Sequence, residues 1–182
     1  MNPRLDGSGD PRTTVFPTKI LLGIDDSEEA ELATRRAVDL ADTAGSELYV
    51  VYVGQLPNFL MNDPDIMGFN RKLYDDIERE SLEILWRLTW QVKASGGVVD
   101  GAHLRMGNVA EEIVALAKEL QADLIVMGSR DHGGLRRAIE GSISDVVVRR
   151  APYAVMTVRS EMGEKHRGFW RRIFSTGAEN SR

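Results

Sequence analysis

Cysteine is absent from this chain. That excludes disulfides, thiolate zinc sites and a cysteine nucleophile. Histidine is scarce, and the three present (His103, His132 and His166) are scattered, which argues against a histidine metal site. Net positive charge is also missing: the balance is −5 at pH 7, unlike a general nucleic-acid binder, although a local basic patch stays compatible with it. No apolar run approaches the ~18 residues that suggest a bilayer span. The first residues lack an apolar core of the kind found in secretory leaders, so a cytoplasmic location is the expectation. No Ser, His and Asp are spaced as a known catalytic motif, and Asp25-Asp26 reads as a turn and helix cap before it reads as an acid–base pair.

What is present is ordinary for a globular protein: 42% apolar and 28% charged residues over 182 positions. This composition predicts one domain with a real core, flanked by two tails. Residues 1–17 hold three prolines and two glycines without periodicity and read as a flexible arm. Residues 18–159 carry the domain. Residues 160–182 lose the pattern except where Phe169, Trp170, Ile173 and Phe174 interleave with Arg167, Arg171 and Arg172. That mixture suits a short membrane-surface or partner helix, or a disordered tail.

Within the domain, strands are expected at Lys19–Ile24, Leu48–Val53, Val98–Leu104 on an edge, Leu124–Met127 and Ala154–Val158. Asp26 and Glu29 fit a capping box opening a helix whose buried face is Ala30, Ala33, Ala37, Leu40, Ala41 and Ala44, with Gly45 as its stop. A long helix is expected from about Arg71 to Ala94. Its core stripe is Leu73, Ile77, Ile84, Leu85, Leu88 and Val92, and a second apolar stripe runs through Leu82, Trp86 and Trp90. The irregular segment 55–70 either covers those tryptophans or leaves them as a partner surface. Asn108 with Glu111 opens a third helix, with Val109, Ile113, Leu116, Ala117 and Leu120 inward. Gly141-Ser142 opens a fourth, Ile143–Arg150.

Strand and helix alternation of this kind predicts a parallel sheet with helices on both faces and right-handed crossovers. Ligands on such sheets sit beyond the carboxyl ends of the strands, at the switch point of strand order. The stretch DLIVMGSRDHGGLRRAIEGSIS fits that position. It is a buried strand, then a glycine-bearing basic loop, then a helix start, which together make a common recipe for holding phosphate.

Three separated segments then support a resemblance. KILLGIDDSEEA, MGSRDHGGLRRAIEGSISD and APYAVMTVR resemble the universal stress protein family over roughly Thr18 to Arg159. The resemblance implies a doubly wound α/β fold, a five-stranded parallel sheet of order 3-2-1-4-5. One branch of that family binds ATP through G-2x-G-9x-G-[S/T], and another lacks the motif and does not bind nucleotide appreciably. Gly128 fits the first glycine, and Gly141 and Ser142 fit the last pair. Asp131 stands where the middle glycine belongs. Ile24 and Asp25 match positions contacting adenine and ribose, and Val53 matches a second adenine contact. Met127 and Arg130 flank the phosphate loop, while Ile143 and Ser144 continue the helix start. The implied ligand is ATP with Mg²⁺ or Mn²⁺, with slow hydrolysis at most and a homodimer through the last strand.

Asp131 is the departure. A carboxylate ~5 Å from a phosphate charge, at an effective dielectric of ~20, costs about 3 kcal/mol before screening. Arg130, Arg136 and Arg137 add positive charge nearby, and a divalent cation bridging Asp131 to phosphate would also offset the cost. Two functions stay open on these residues: a nucleotide-binding stress or signalling module, and a nucleotide-independent interaction module.

Overall fold

The computed structural model describes residues 16–57, 71–129 and 142–159. Among these, the strands are β1 (Lys19–Gly23), β2 (Glu47–Gly54), β3 (Gly101–Met106), β4 (Leu124–Gly128) and β5 (Ala154–Val158). The helices are α1 (Glu28–Ala44), α2 (Arg71–Ala94), α3 (Val109–Leu120) and α4 (Ile143–Arg150). All four strand pairings are parallel and the sheet order is β3-β2-β1-β4-β5. The fold is therefore the doubly wound five-stranded sheet that the alternation and the resemblance imply.

Period-two strands bury both faces. Ile20, Leu22, Leu48, Val50, Leu124 and Val126 face α1 and α2, meeting Ala33, Ala37, Leu85, Leu88 and Val92. Leu21, Val51, Val53, Ile125 and Met127 face α3 and α4, meeting Ala110, Ile113, Leu116, Ala117 and Val147. Strands covered on both sides read as near-continuous apolar runs, which is why β1, β2 and β4 are legible as KILLGI, LYVVYV and LIVM. Alanines line the inner face of α1 because the helix lies close on the sheet.

Three expectations need correction. The edge strand begins at Gly101, later than Val98. Val98 is 78% exposed, and the Asp100 carboxylate accepts the Leu48 N–H at 2.8 Å while the Asp100 N–H donates to Leu48 O at 2.8 Å. That reciprocal bracket precedes the ladder, which opens with Gly101 beside Tyr49. In α2, Leu73 is exposed and Ile77 half-buried, so the stripe is inward only from Ser81 onward, through Leu85, Leu88, Thr89 and Val92. Helix α1 is capped by Ser27, whose hydroxyl accepts the Ala30 N–H at 3.1 Å; Asp26 is drawn elsewhere.

The second stripe of α2 is exposed as a face: Leu82 at 41%, Trp86 at 59% and Trp90 at 70%. Most of the segment invoked to cover it, residues 58–70, lies outside the described residues, as do residues 1–15 of the N-terminal arm and the C-terminal tail, 160–182. No helix among the described residues is long and apolar enough to cross a membrane.

Candidate functional site

Order β2-β1-β4 sets three carboxyl ends side by side at the switch point. Gly23 lies beside Val51 and Leu22 beside Val126. Beyond these pairs the chain continues as Ile24-Asp25 after β1, while β2 runs on through Val53-Gly54 and β4 through Met127-Gly128. The pairing persists into the turn, since the Ile24 N–H still donates to Val51 O at 2.9 Å. Ile24, Val53 and Met127 are all buried. Val53 and Met127 belong to the layer under α3 and α4, whereas Ile24 packs toward α1 and α2. A ligand in the α3/α4 half of the crevice would therefore meet the side chains of Val53 and Met127 and only the backbone of Ile24.

Asp25 begins the β1–α1 turn. Its Oδ1 accepts the Ser27 N–H at 2.8 Å, so one carboxylate oxygen shapes the turn that seats the Ser27 cap. Asp26 points to the other layer. Both of its oxygens accept from Arg87 of α2, at 2.7 and 2.8 Å. The Arg87 guanidinium holds the Asp26 carboxyl below the usual carboxylate range, outweighing the opposite effect of burial. This fork explains why Asp26 does not cap α1. Tyr52 of β2 lies near the same charges: burial first, then the Asp26, Asp25 and Glu80 carboxylates, push its phenol up.

Gly128 is required by packing. A Cβ there would come within 2.7 Å of Ala30 N and of Glu29 C, backbone atoms of the first turn of α1. The glycine lets β4 and α1 approach, whatever the loop beyond it holds.

Helix α4 starts with the reciprocal cap. The Ser142 hydroxyl accepts the Asp145 N–H at 3.3 Å, and the Asp145 carboxylate accepts the Ser142 N–H at 3.1 Å. A chain of hydroxyls then crosses to β4. The Ser144 hydroxyl donates to Ser129 Oγ at 3.0 Å, and Ser142 Oγ lies 2.6 Å from Ser144 Oγ. A serine has one proton to give. Because Ser144 gives its proton to Ser129, Ser142 is the donor to Ser144. Ser129 and Ser144 are buried, so this chain joins the end of β4 to the start of α4 in a dry setting. The Ser129 N–H also donates to Val158 O at 2.8 Å, tying the junction to β5.

Of the residues named from sequence, Ile24, Asp25, Val53, Met127, Gly128, Ser142, Ile143 and Ser144 are gathered at these carboxyl ends. Arg130, Asp131 and Gly141 lie outside the described residues. Sequence reasoning missed Ser129 and Arg87. Ser129 sits among polar loop residues, with nothing in its spacing to mark burial. Arg87 is 61 positions from its partner, on a helix face that periodicity assigns to solvent. His103 stands apart on β3, where burial first and then the Arg105 charge lower its pKa. Among the described residues, no group of three or more His, Asp or Glu side chains is placed to hold a metal ion.

Comparison with known proteins agrees with this architecture. Residues 17–159 match the family described as the universal stress protein family. A universal stress protein of Methanocaldococcus jannaschii is 28% identical over 146 residues, 80% of this chain and 84% of that protein. A protein of Staphylococcus aureus named as a universal stress protein is 33% identical over 144 residues, 78% of this chain and 84% of its own. Among solved structures, the universal stress protein UspA from Lactobacillus plantarum aligns with a TM-score of 0.61 and 25% identity, over 78% of this chain and 97% of that one.

Proposed function

This chain belongs to the universal stress protein family, and from that membership we propose that it is a nucleotide-binding module acting in stress response or signalling, with ATP as its ligand. The observation that carries the reading is the junction of β4 and α4. A helix N-terminus presents N–H groups that lack intrahelical acceptors and a dipole that favours anions. Here that terminus is capped by Ser142 and locked through Ser144 and Ser129 to β4, whose Gly128 lies against the first turn of α1. In this reading Ile143, Ser144 and Ser142 receive phosphate, Met127, Val53 and Ile24 line the base, and Asp25 meets the ribose. Arg130, Asp131 and Gly141 belong to the intervening loop. Two structural neighbours, at 21% and 24% identity, are a universal stress protein in complex with cAMP and one from Archaeoglobus fulgidus in complex with dAMP. Their ligands suit the same ligand class. Mg²⁺ or Mn²⁺ enters with the phosphates.

Asp131 decides how well the loop suits a triphosphate. We read it as a tolerated liability, because one carboxylate makes a poor cation site alone. Asp131→Gly should then tighten ATP, measured by calorimetry, with or without Mg²⁺. Weaker binding in the glycine variant only when Mg²⁺ is present would make Asp131 a cation ligand instead. A parent that binds no ATP under either condition would favour the second reading, an interaction module. The exposed Leu82, Trp86 and Trp90 face is the observation that supports that alternative. In either case β5, which ends the sheet, is the edge through which we expect two chains to pair.

A further inference from the structure

We infer that Arg87 is a positioning residue for the nucleotide: its fork on Asp26 fixes, from the opposite layer of the sheet, the turn that presents Asp25. The inference rests on the nucleotide reading above and adds residues from outside the crevice to it. The β1–α1 turn is tethered at each end. The Ile24 N–H donates to Val51 O, the Ser27 N–H to Asp25 Oδ1 and the Ala30 N–H to Ser27 Oγ. Between them stands Asp26, and the partner it takes comes from another element. Arg87 supplies two parallel N–H···O bonds at 2.7 and 2.8 Å, a geometry that fixes orientation as well as distance.

Arg87 is carried on a rigid support. Its neighbours on α2, Leu85 and Leu88, are 2% and 4% exposed in the core, so the helix cannot slide to follow a drifting turn. Asp26 is joined directly to Asp25, whose Oδ1 accepts the Ser27 N–H, so holding Asp26 on α2 restrains the backbone on both sides of it. The raised Tyr52 pKa, with both aspartates among its causes, agrees that Tyr52, Asp25, Asp26 and Arg87 form one cluster.

An exposed ion pair contributes little to global stability, and both partners here are about half exposed, Arg87 at 49% and Asp26 at 59%. What the pair provides is order in a turn. If releasing Asp26 leaves the turn in its binding arrangement about a tenth of the time, apparent affinity falls about tenfold.

Asp26→Asn separates this from simple charge effects. Removing a negative charge beside a polyanion should tighten ATP by electrostatics alone, whereas loss of the clamp should weaken it. The test is calorimetric titration of ATP with Mg²⁺, and separately of adenosine, into the full chain as parent, D26N, R87Q, R87K and D26N/R87Q. Melting temperature is followed in parallel. Expected are losses of about tenfold for both ligands in D26N and R87Q, and a double variant no weaker than either single. R87K, which keeps the charge without the fork, should show part of the loss, and melting should shift by no more than about 3 °C. ATP binding unchanged or tighter in D26N, with the parent binding normally, would overturn the clamp and leave the nucleotide reading standing. A parent that binds neither ligand would overturn the nucleotide reading itself, and the clamp's purpose with it.

Discussion

At Gly128 the same atom is asked for by two neighbours. Family resemblance marks it as the first glycine of a phosphate loop, yet the backbone of Glu29 and Ala30 already leaves no room for a side chain. Gly128→Ala should therefore destabilise the ligand-free protein by about 1–3 kcal/mol, as overpacking does. The readout is a lower urea midpoint at unchanged m-value; a midpoint equal to the parent's would show that α1 gives way freely. A stability loss in the absence of nucleotide also means that this glycine alone says little about ligand. Residue types at single positions were legible where chemistry is local: Asp25 in a turn, Asn108 as a cap, Gly141-Ser142 as a helix start. They were not legible where the partner is distant in sequence. Asp26 has the spacing of a cap and is used as one half of an ion pair. Ser129 looks like a loop residue and is buried under Ser144.

Elements were read correctly where amphipathic period and cap agree. Helix α3 has both, with the Asn108 side chain accepting the Ala110 and Glu111 N–H groups at 3.1 and 3.2 Å. The edge strand β3 was displaced because its residues are half-buried throughout, so alternation gave no sharp start and the Asp100 bracket set it instead. Helix α2 kept its bounds while its first two turns lost their core role, since periodicity finds a stripe without saying where the sheet beneath it ends. Helix α4 has eight residues, too few to be stable alone, which makes its cap matter. Ser142→Ala removes the acceptor for Asp145 N–H and the hydroxyl that donates to Ser144. A loss of about 1 kcal/mol is expected from the cap, read by denaturant unfolding. Asp145→Ala should cost a similar amount by breaking the reciprocal half of the box. If both variants unfold with the parent, the junction is not held by this network.

For the whole molecule, strand–helix alternation gave the parallel sheet and hence the crevice, because handedness and short connections leave few other ways to wind it. Sheet order came from the resemblance, and no property of the strands themselves distinguishes β3-β2-β1-β4-β5 from its permutations. The order makes β5 an edge, with Met156 and Thr157 exposed on it, and an unprotected parallel edge offers unpaired N–H and C=O groups to a second chain. A dimer is the expected state at micromolar concentration, and light scattering giving the mass of a single 20.3 kDa chain would contradict it.

The central claim is that nucleotide sits at the carboxyl ends of β1, β2 and β4, and backbone amide resonances recorded during an ATP titration with Mg²⁺ test it most directly. The account predicts saturable shifts concentrated at residues 24–27, 53–54, 128–129 and 142–145, with Val98 and Trp90 unmoved. Shifts absent altogether, or gathered on the Leu82, Trp86 and Trp90 face of α2, would contradict it.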